Sequence, residues 1–296
     1  MTHRESGTRL EHQSVKSEAP TRLEHQSVKS EAPKRRTKKK NSKVLYYVLL
    51  AVLLAVLVFS AAKIISYLNQ QRLSENQQEE ISTEFITPLD GNGETGTEGG
   101  GSISLKPGEP QPEQIQVDFE KLLAKYPDVV GYIYGANTGI NYPVVKGINN
   151  DYYLNHDYDG KTNNNGAIFL EECCSSSFSN GNCIIYGHHM KSGLMFAALE
   201  KYKSQSFYDA HPCFYLYTPM QNYRLDIFAG SVVEGDSDIY ALSPSAETIA
   251  AVAAKSTFNA KIGVPAGKIV TLSTCDYTSG YSDPRYVVLA EMVPID

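Results

Sequence analysis

Thr271-Leu272-Ser273-Thr274-Cys275 ends an apolar run that begins at Lys268 and reads as a β-strand. The polar stretch Asp276-Tyr277-Thr278-Ser279-Gly280 follows and reads as a loop, so the sulfur stands at the exposed end of a rigid element. Arg285 opens the next β-patterned run, ten residues after Cys275. A cysteine so placed has a fixed direction of attack, and a guanidinium on a neighbouring strand reaches a developing oxyanion. A thiol with an ordinary pKa of about 8.5 is mostly protonated at neutral pH, so this chemistry needs a base. Tyr186-Gly187-His188-His189 supplies one. His188 and His189 compete for that role, because adjacent residues leaving a strand point in different directions. His156 and His211 read as surface or structural residues. The competing readings are a core cysteine that happens to end a strand, and an Arg285 engaged only in a surface ion pair with Asp283.

From about Val117 to Asp296 the chain resembles the sortases, and specifically class B. The resemblance rests on TLxTC at Thr271 to Cys275, on the histidine after a strand-ending glycine at Gly187-His188, and on Arg285 opening the last strand. It also rests on Asp128-Val129-Val130-Gly131, Ile140-Asn141-Tyr142-Pro143-Val144-Val145 and Asn150-Asp151-Tyr152-Tyr153-Leu154-Asn155-His156-Asp157. It implies Cys275 as nucleophile, His188 as its acid/base partner and Arg285 as the cation at the oxyanion. It implies substrate contacts at Asn150, Leu154, Ser273 and Tyr240, with Leu154 receiving an apolar side chain of the bound peptide. Some class B enzymes carry an aspartate two residues after the cysteine. Here that position is Tyr277, and Asp276 takes the preceding one, so no catalytic role is assigned to it.

Working outward, eight runs read as strands: 129–134, 140–145, 167–170, 183–186, 213–217, 223–233, 268–273 and 286–293. An amphipathic helix precedes them, with Asp118 as its cap and Phe119, Leu122, Leu123 and Tyr126 on one face. Two more helices are expected, one around Leu194 to Tyr202 and one from Pro244 capped by Ser243. The fold class is therefore mainly β with helices. The resemblance makes it a closed eight-stranded sortase-type β-barrel, residues 117–296, preceded by a single transmembrane helix.

The formal net charge of -6 hides two opposite regions. Residues 1–43 carry 12 Lys/Arg against 5 Asp/Glu, and the remainder 15 against 28. A basic tail beside an acidic domain argues against a nucleic-acid protein. Residues 44–62 are free of charge and span roughly 28 Å as a helix, enough to cross a bilayer. Seven Lys/Arg between Lys34 and Lys43 put the N-terminus in the cytoplasm and the bulk of the chain outside. A cleaved secretion signal is the alternative. The expected organisation is a disordered basic tail at 1–43, a transmembrane helix and flank at 44–68, and a flexible extracellular linker at 69–116. The tail holds the same thirteen residues, TRLEHQSVKSEAP, at Thr8 to Pro20 and Thr21 to Pro33. Two polar copies do not make a solenoid.

Five cysteines in an exported chain leave an odd one, for which Cys275 is the candidate. A bridge from Cys173 or Cys174 to Cys183 is conceivable, as are buried thiols outside any bridge, the preferred reading for Cys213. Metal binding by Cys173, Cys174, Cys183, His188 and His189 is the rival chemistry, but their spacing suits zinc poorly. No metal and no cofactor is assigned.

The resemblance implies a membrane-anchored cysteine transpeptidase on a Gram-positive cell surface. Its partners would be surface proteins bearing a C-terminal LPxTG- or NPxTN-like sorting signal, and an amine acceptor on a peptidoglycan precursor. The alternatives are a pilin polymerase using a pilin lysine, a plain thiol protease, and a non-enzymatic adhesin.

Overall fold

The computed structural model describes residues 42–89 and 114–295. The tail with its duplication, apart from residues 42 and 43, and linker residues 90–113 lie outside the described part. Helix α1, Ser42–Phe85, contains the charge-free run. Among the described residues it is the one helix long and apolar enough to cross a membrane by length and composition.

The linker expected from residue 69 is not observed over 69–89. The helix continues to Phe85 and passes into strand β1, Ile86–Pro88, which pairs antiparallel with β2, Ile115–Val117. Few apolar residues are needed for this. Ile81 and Phe85, four apart and hence on one helix face, are buried against Ile115, Leu122 and Tyr126. Hydrogen bonds complete the seam: the Asn163 carboxamide donates to the Ser74 hydroxyl at 3.0 Å, and that of Asn165 at 2.9 Å. Gln78 donates to the Asn141 carbonyl. Polar anchoring of this kind carries no hydrophobic period, which is why the segment reads as solvated linker.

Helix α2, Phe119–Lys125, starts as expected: the Asp118 carboxylate accepts from the Lys121 N–H at 3.1 Å. Eight strands then close a barrel. They are β3 Val129–Gly135, β4 Ile140–Val145, β5 Phe169–Leu170, β6 Asn182–Tyr186, β7 Cys213–Tyr217, β8 Asn222–Glu234, β9 Ile269–Cys275 and β10 Pro284–Ile295. Their order around the barrel is β10-β8-β7-β3-β4-β5-β6-β9, with β9 returning to β10. Two contacts are parallel, β4 with β5 and β6 with β9; the rest are antiparallel. β5 meets β4 only at Val145, so Pro143 faces no ladder partner on that side and its missing N–H costs nothing there.

The barrel interior is filled by Ile133, Val144, Ile185, Leu216, Leu225, Leu272 and Val288, all fully buried. Each such side chain contributes roughly 1.5–3 kcal/mol of transfer free energy. A 3-10 helix at Phe196–Lys203 plugs the same core with Phe196, Leu199 and Tyr202. The helix expected from Pro244 is α4, Ala246–Ala253; its cap is Ser245 rather than Ser243, accepting from the Thr248 N–H at 3.1 Å. It covers the outside of β8, β9 and β10 through Val252.

Candidate active site

Register alone places the first two functional groups. β9 and β10 pair with Cys275 opposite Arg285, and β6 runs parallel to β9 with Tyr186 beside Ser273. The Arg285 Nη1 donates to the Cys275 Sγ at 3.2 Å, while Nη2 lies 2.9 Å from the Asp283 carboxylate. The ion pair and the thiol contact therefore coexist: two separate arms of one rigid fork serve them. Asp283 is itself held, because the Glu234 carboxylate accepts from the N–H groups of Ser282 and Asp283 at 3.1 and 3.0 Å. Those main-chain donors keep the Glu234 carboxyl below its ordinary range.

The chain leaves β6 through Gly187. A Cβ there would stand 2.4 Å from Ile168 Cδ1 and 2.7 Å from Phe196 Cγ, so no larger residue fits. His188 then reaches the carbonyl of Leu154 through Nε2 at 2.8 Å. A carbonyl only accepts, so Nε2 carries the hydrogen and Nδ1 is the nitrogen left for chemistry. Behind it lies Gly166, at φ +60°, where a Cβ would come within 2.4 Å of the Tyr153 carbonyl and 2.9 Å of Leu154 O. That glycine lets the loop carrying Leu154 approach the imidazole.

His189 has a different setting. Its Nδ1 lies 2.8 Å from the Cys275 carbonyl and its Nε2 lies 3.3 Å from the Glu200 carboxylate, with the ring edge-on to Tyr277. The neighbouring Lys203 bridges Glu200 at 3.3 Å and Asp276 at 2.5 Å. Burial acts to raise the Asp276 pKa, but hydrogen bonds from Lys203 and Thr278 outweigh it and hold the carboxyl below its ordinary value. His156 stacks on Tyr152 and His211 ends helix α3, Gln205–Ala210, both in structural positions.

A cleft of about 440 Å³ gathers Asn150, Leu154, His188, Tyr240, Ser273, Cys275 and Arg285. All seven residues singled out from the sequence line it. Asp151, Phe169, Tyr186 and Gly235 line it too. The Asn150 carboxamide donates to Glu171 at 2.8 Å and accepts from the Glu172 N–H at 2.8 Å. Tyr186 donates to the same Glu171 oxygen at 2.9 Å. Tyr240 and Ser273 share a hydroxyl pair at 2.8 Å, and burial pushes the Tyr240 phenol up to about 12. Phe169, Tyr186 and Glu171 escaped the sequence reading. Tyr186 stands directly before Gly187-His188, a signal that was available; Glu171 acts through a fold-back that no local pattern announces.

The five residues of the rival metal cluster do not converge on one point: only Cys174 and Cys183 share a core. Cys174 and Cys183 are buried, Cys173 is exposed, His188 lines the cleft and His189 lies in the network beside Cys275. Among the described residues one group has metal-ligand spacing, Glu171, Glu172 and Cys173. Glu171 already serves Asn150 and Tyr186. Cys213, expected buried, is half-exposed at the start of β7.

An eight-stranded barrel with a Cys–Arg pair at the mouth of a cleft defines a thiol enzyme scaffold, and comparison with known proteins agrees. A sortase domain family model matches residues 136–293. Sortase B of Listeria monocytogenes is 33% identical over 188 residues, covering 61% of this chain and 76% of the relative. A Staphylococcus aureus sortase B–substrate complex superposes with a TM-score of 0.55 at 31% identity, covering 60% of this chain and 85% of that one. Sortase B from Bacillus anthracis in complex with AAEK1 gives a TM-score of 0.57 at 28% identity, over 78% of this chain and 100% of that one. The chain belongs to the sortase family of cysteine transpeptidases, class B.

Proposed function

We propose that Cys275 attacks the threonine carbonyl of a C-terminal sorting signal of the LPxTG or NPxTN kind. The attack gives a thioester and releases the peptide beyond the threonine. His188 passes a proton between the thiol and the departing amine through Nδ1, the nitrogen its bond to Leu154 leaves available. Arg285 balances the tetrahedral oxyanion, and its tie to Asp283 aims the fork at the sulfur. Asn150, Leu154, Ser273 and Tyr240 hold the signal peptide, with Leu154 receiving an apolar side chain. An amine of a peptidoglycan precursor then attacks the thioester and leaves the surface protein joined to the wall.

In this reading α1 anchors the enzyme as a single span, with the basic N-terminus in the cytoplasm and the barrel outside. The observation that carries the proposal is the 3.2 Å contact of Arg285 with Cys275 inside a cleft that His188 also lines.

The full chain, incubated with a panel of sorting peptides, should give a covalent acyl adduct at Cys275 by mass spectrometry, discharged faster as an amine acceptor is added. Hydrolysis insensitive to added amines would mean a thiol protease. Turnover surviving in Cys275→Ala would remove the mechanism altogether.

A further inference from the structure

Two buried thiols lie together at the start of β6, and the proposed chemistry at Cys275 uses neither. Cys174 lies in the turn leaving β5, Cys183 is the second residue of β6, and each is at most 1% exposed. The β5–β6 ladder runs on past Leu170: the Glu171 N–H donates to the Ile184 carbonyl at 2.9 Å. The chain then folds back, the Cys174 N–H donating to the Glu171 carbonyl at 2.9 Å. That fold-back brings the Cys174 sulfur to 3.9 Å from the carbonyl of Asn182, which adjoins Cys183. It also leaves both thiols buried in the same core cluster, with the Cys174 sulfur against the peptide that leads into Cys183. Cys173 is exposed, outside the core that encloses both. Of the two partners the sequence allowed for Cys183, the turn selects Cys174.

We propose that Cys174 and Cys183 are an oxidation site that closes as an intramolecular disulfide, by exchange with an external small-molecule or protein disulfide. The Cys174 thiolate attacks one sulfur of the external disulfide, forming a mixed disulfide and releasing one thiol. Cys183, having given up its proton, attacks the Cys174 sulfur; the Cys174–Cys183 bond forms and the second external thiol leaves. The protein loses two hydrogens and the external disulfide is reduced to two thiols.

The order of attack follows from placement: Cys174 lies in a turn and Cys183 within strand β6, so the turn thiol is the first to meet an external disulfide when the structure opens locally. Both sulfurs are covered in the folded domain, so exchange occurs as the chain folds or when this turn opens. The bond staples the turn that carries Glu171, whose carboxylate holds Asn150 and Tyr186 on the cleft wall. The inference stands on the pair's own geometry and is independent of the role assigned to Cys275.

For the test, the full chain with Cys275→Ala, in detergent micelles, is equilibrated with dithiothreitol mixtures from fully reduced to fully oxidised. It is then acid-quenched, alkylated in denaturant and mapped by peptide mass spectrometry. The expected result is the loss of two hydrogens and one peptide pair joined through Cys174 and Cys183, reversed by reduction and absent in Cys183→Ser. Linkage through Cys173, linkage only between chains, or no linkage in the most oxidising mixture overturns the proposal. The deciding readout comes from the chain with both cysteines intact, so poor folding of the serine variant does not affect it.

Discussion

His188 and His189 are adjacent in sequence and occupy opposite kinds of environment. On the cleft side, His188 bonds the Leu154 carbonyl and shares an open cavity with Cys275 and Arg285. On the other side, His189 has the Cys275 carbonyl at one nitrogen and Glu200 at the other, within a chain of charges running through Lys203 to the buried Asp276. A side chain with both polar atoms engaged must break a bond to move a proton. One with a nitrogen to spare need not. The comparison teaches how the proposed mechanism divides the work of two adjacent histidines: His188 moves the proton, and His189 fixes the main chain from which the Cys275 sulfur projects.

Exchanging the two roles is the most severe way to break that comparison. We expect His188→Ala to lower kcat/KM by about 100- to 10,000-fold with little change in unfolding midpoint. His189→Ala should cost about 1–3 kcal/mol of stability, read by urea unfolding, and a smaller share of activity. Equal activity losses in the two variants would erase the distinction.

Arg285→Lys tests whether one cation must serve two partners. An ammonium is a point charge without a fork, so holding Asp283 means losing the sulfur. The expected loss in acylation rate is about 100- to 1,000-fold, measured by single-turnover adduct formation. Retention of near-native rate would reduce Arg285 to an ordinary positive charge.

The charged side of the comparison has a pH signature. Asp276 titrates below its ordinary value near 3.8 in the folded state, so its contribution to stability is complete above that value. It fades as pH falls through the lower folded value. Asp276→Asn should therefore unfold more easily at neutral pH, by about 1–3 kcal/mol given that Lys203 keeps partial solvent access. It should also show a flatter midpoint-versus-pH curve below about pH 4. A curve parallel to the parent's would show that another carboxylate controls the acid limb.

The smallest effect is expected at Tyr240→Phe. Removing the hydroxyl that pairs with Ser273 should raise KM for the sorting peptide by roughly 2- to 10-fold, corresponding to one hydrogen bond of about 0.5–1.5 kcal/mol, with kcat nearly unchanged. A fall confined to kcat would instead place Tyr240 in the chemical step.

Much of the scaffold was legible. Short apolar, β-patterned runs located all eight barrel strands, and β4 and β7 agree with their expected bounds, because a buried strand advertises itself locally. Asp118 was legible for the same reason: a cap is a short-range device. The stalk was not. Residues 69–85 read as a solvated tether because their docking relies on Ile81, Phe85 and a few side-chain amides whose partners lie more than sixty residues away. Nor was the division of labour beside Cys275, since Glu200 and Lys203 sit on a 3-10 helix far from it in sequence.

The sequence by itself determined the barrel strands, the apolar span and which side chains are candidates for the chemistry, because each is written in a local pattern of polarity or in a residue type with one obvious chemistry. Only the tertiary structure decided which of two adjacent histidines faces the cleft, which of two adjacent cysteines meets Cys183, and that Arg285 touches Asp283 and Cys275 together. Those outcomes depend on strand register, on the fold-back after β5 and on glycines that admit close approach. Register and close packing are properties of elements brought together, and no single segment contains them.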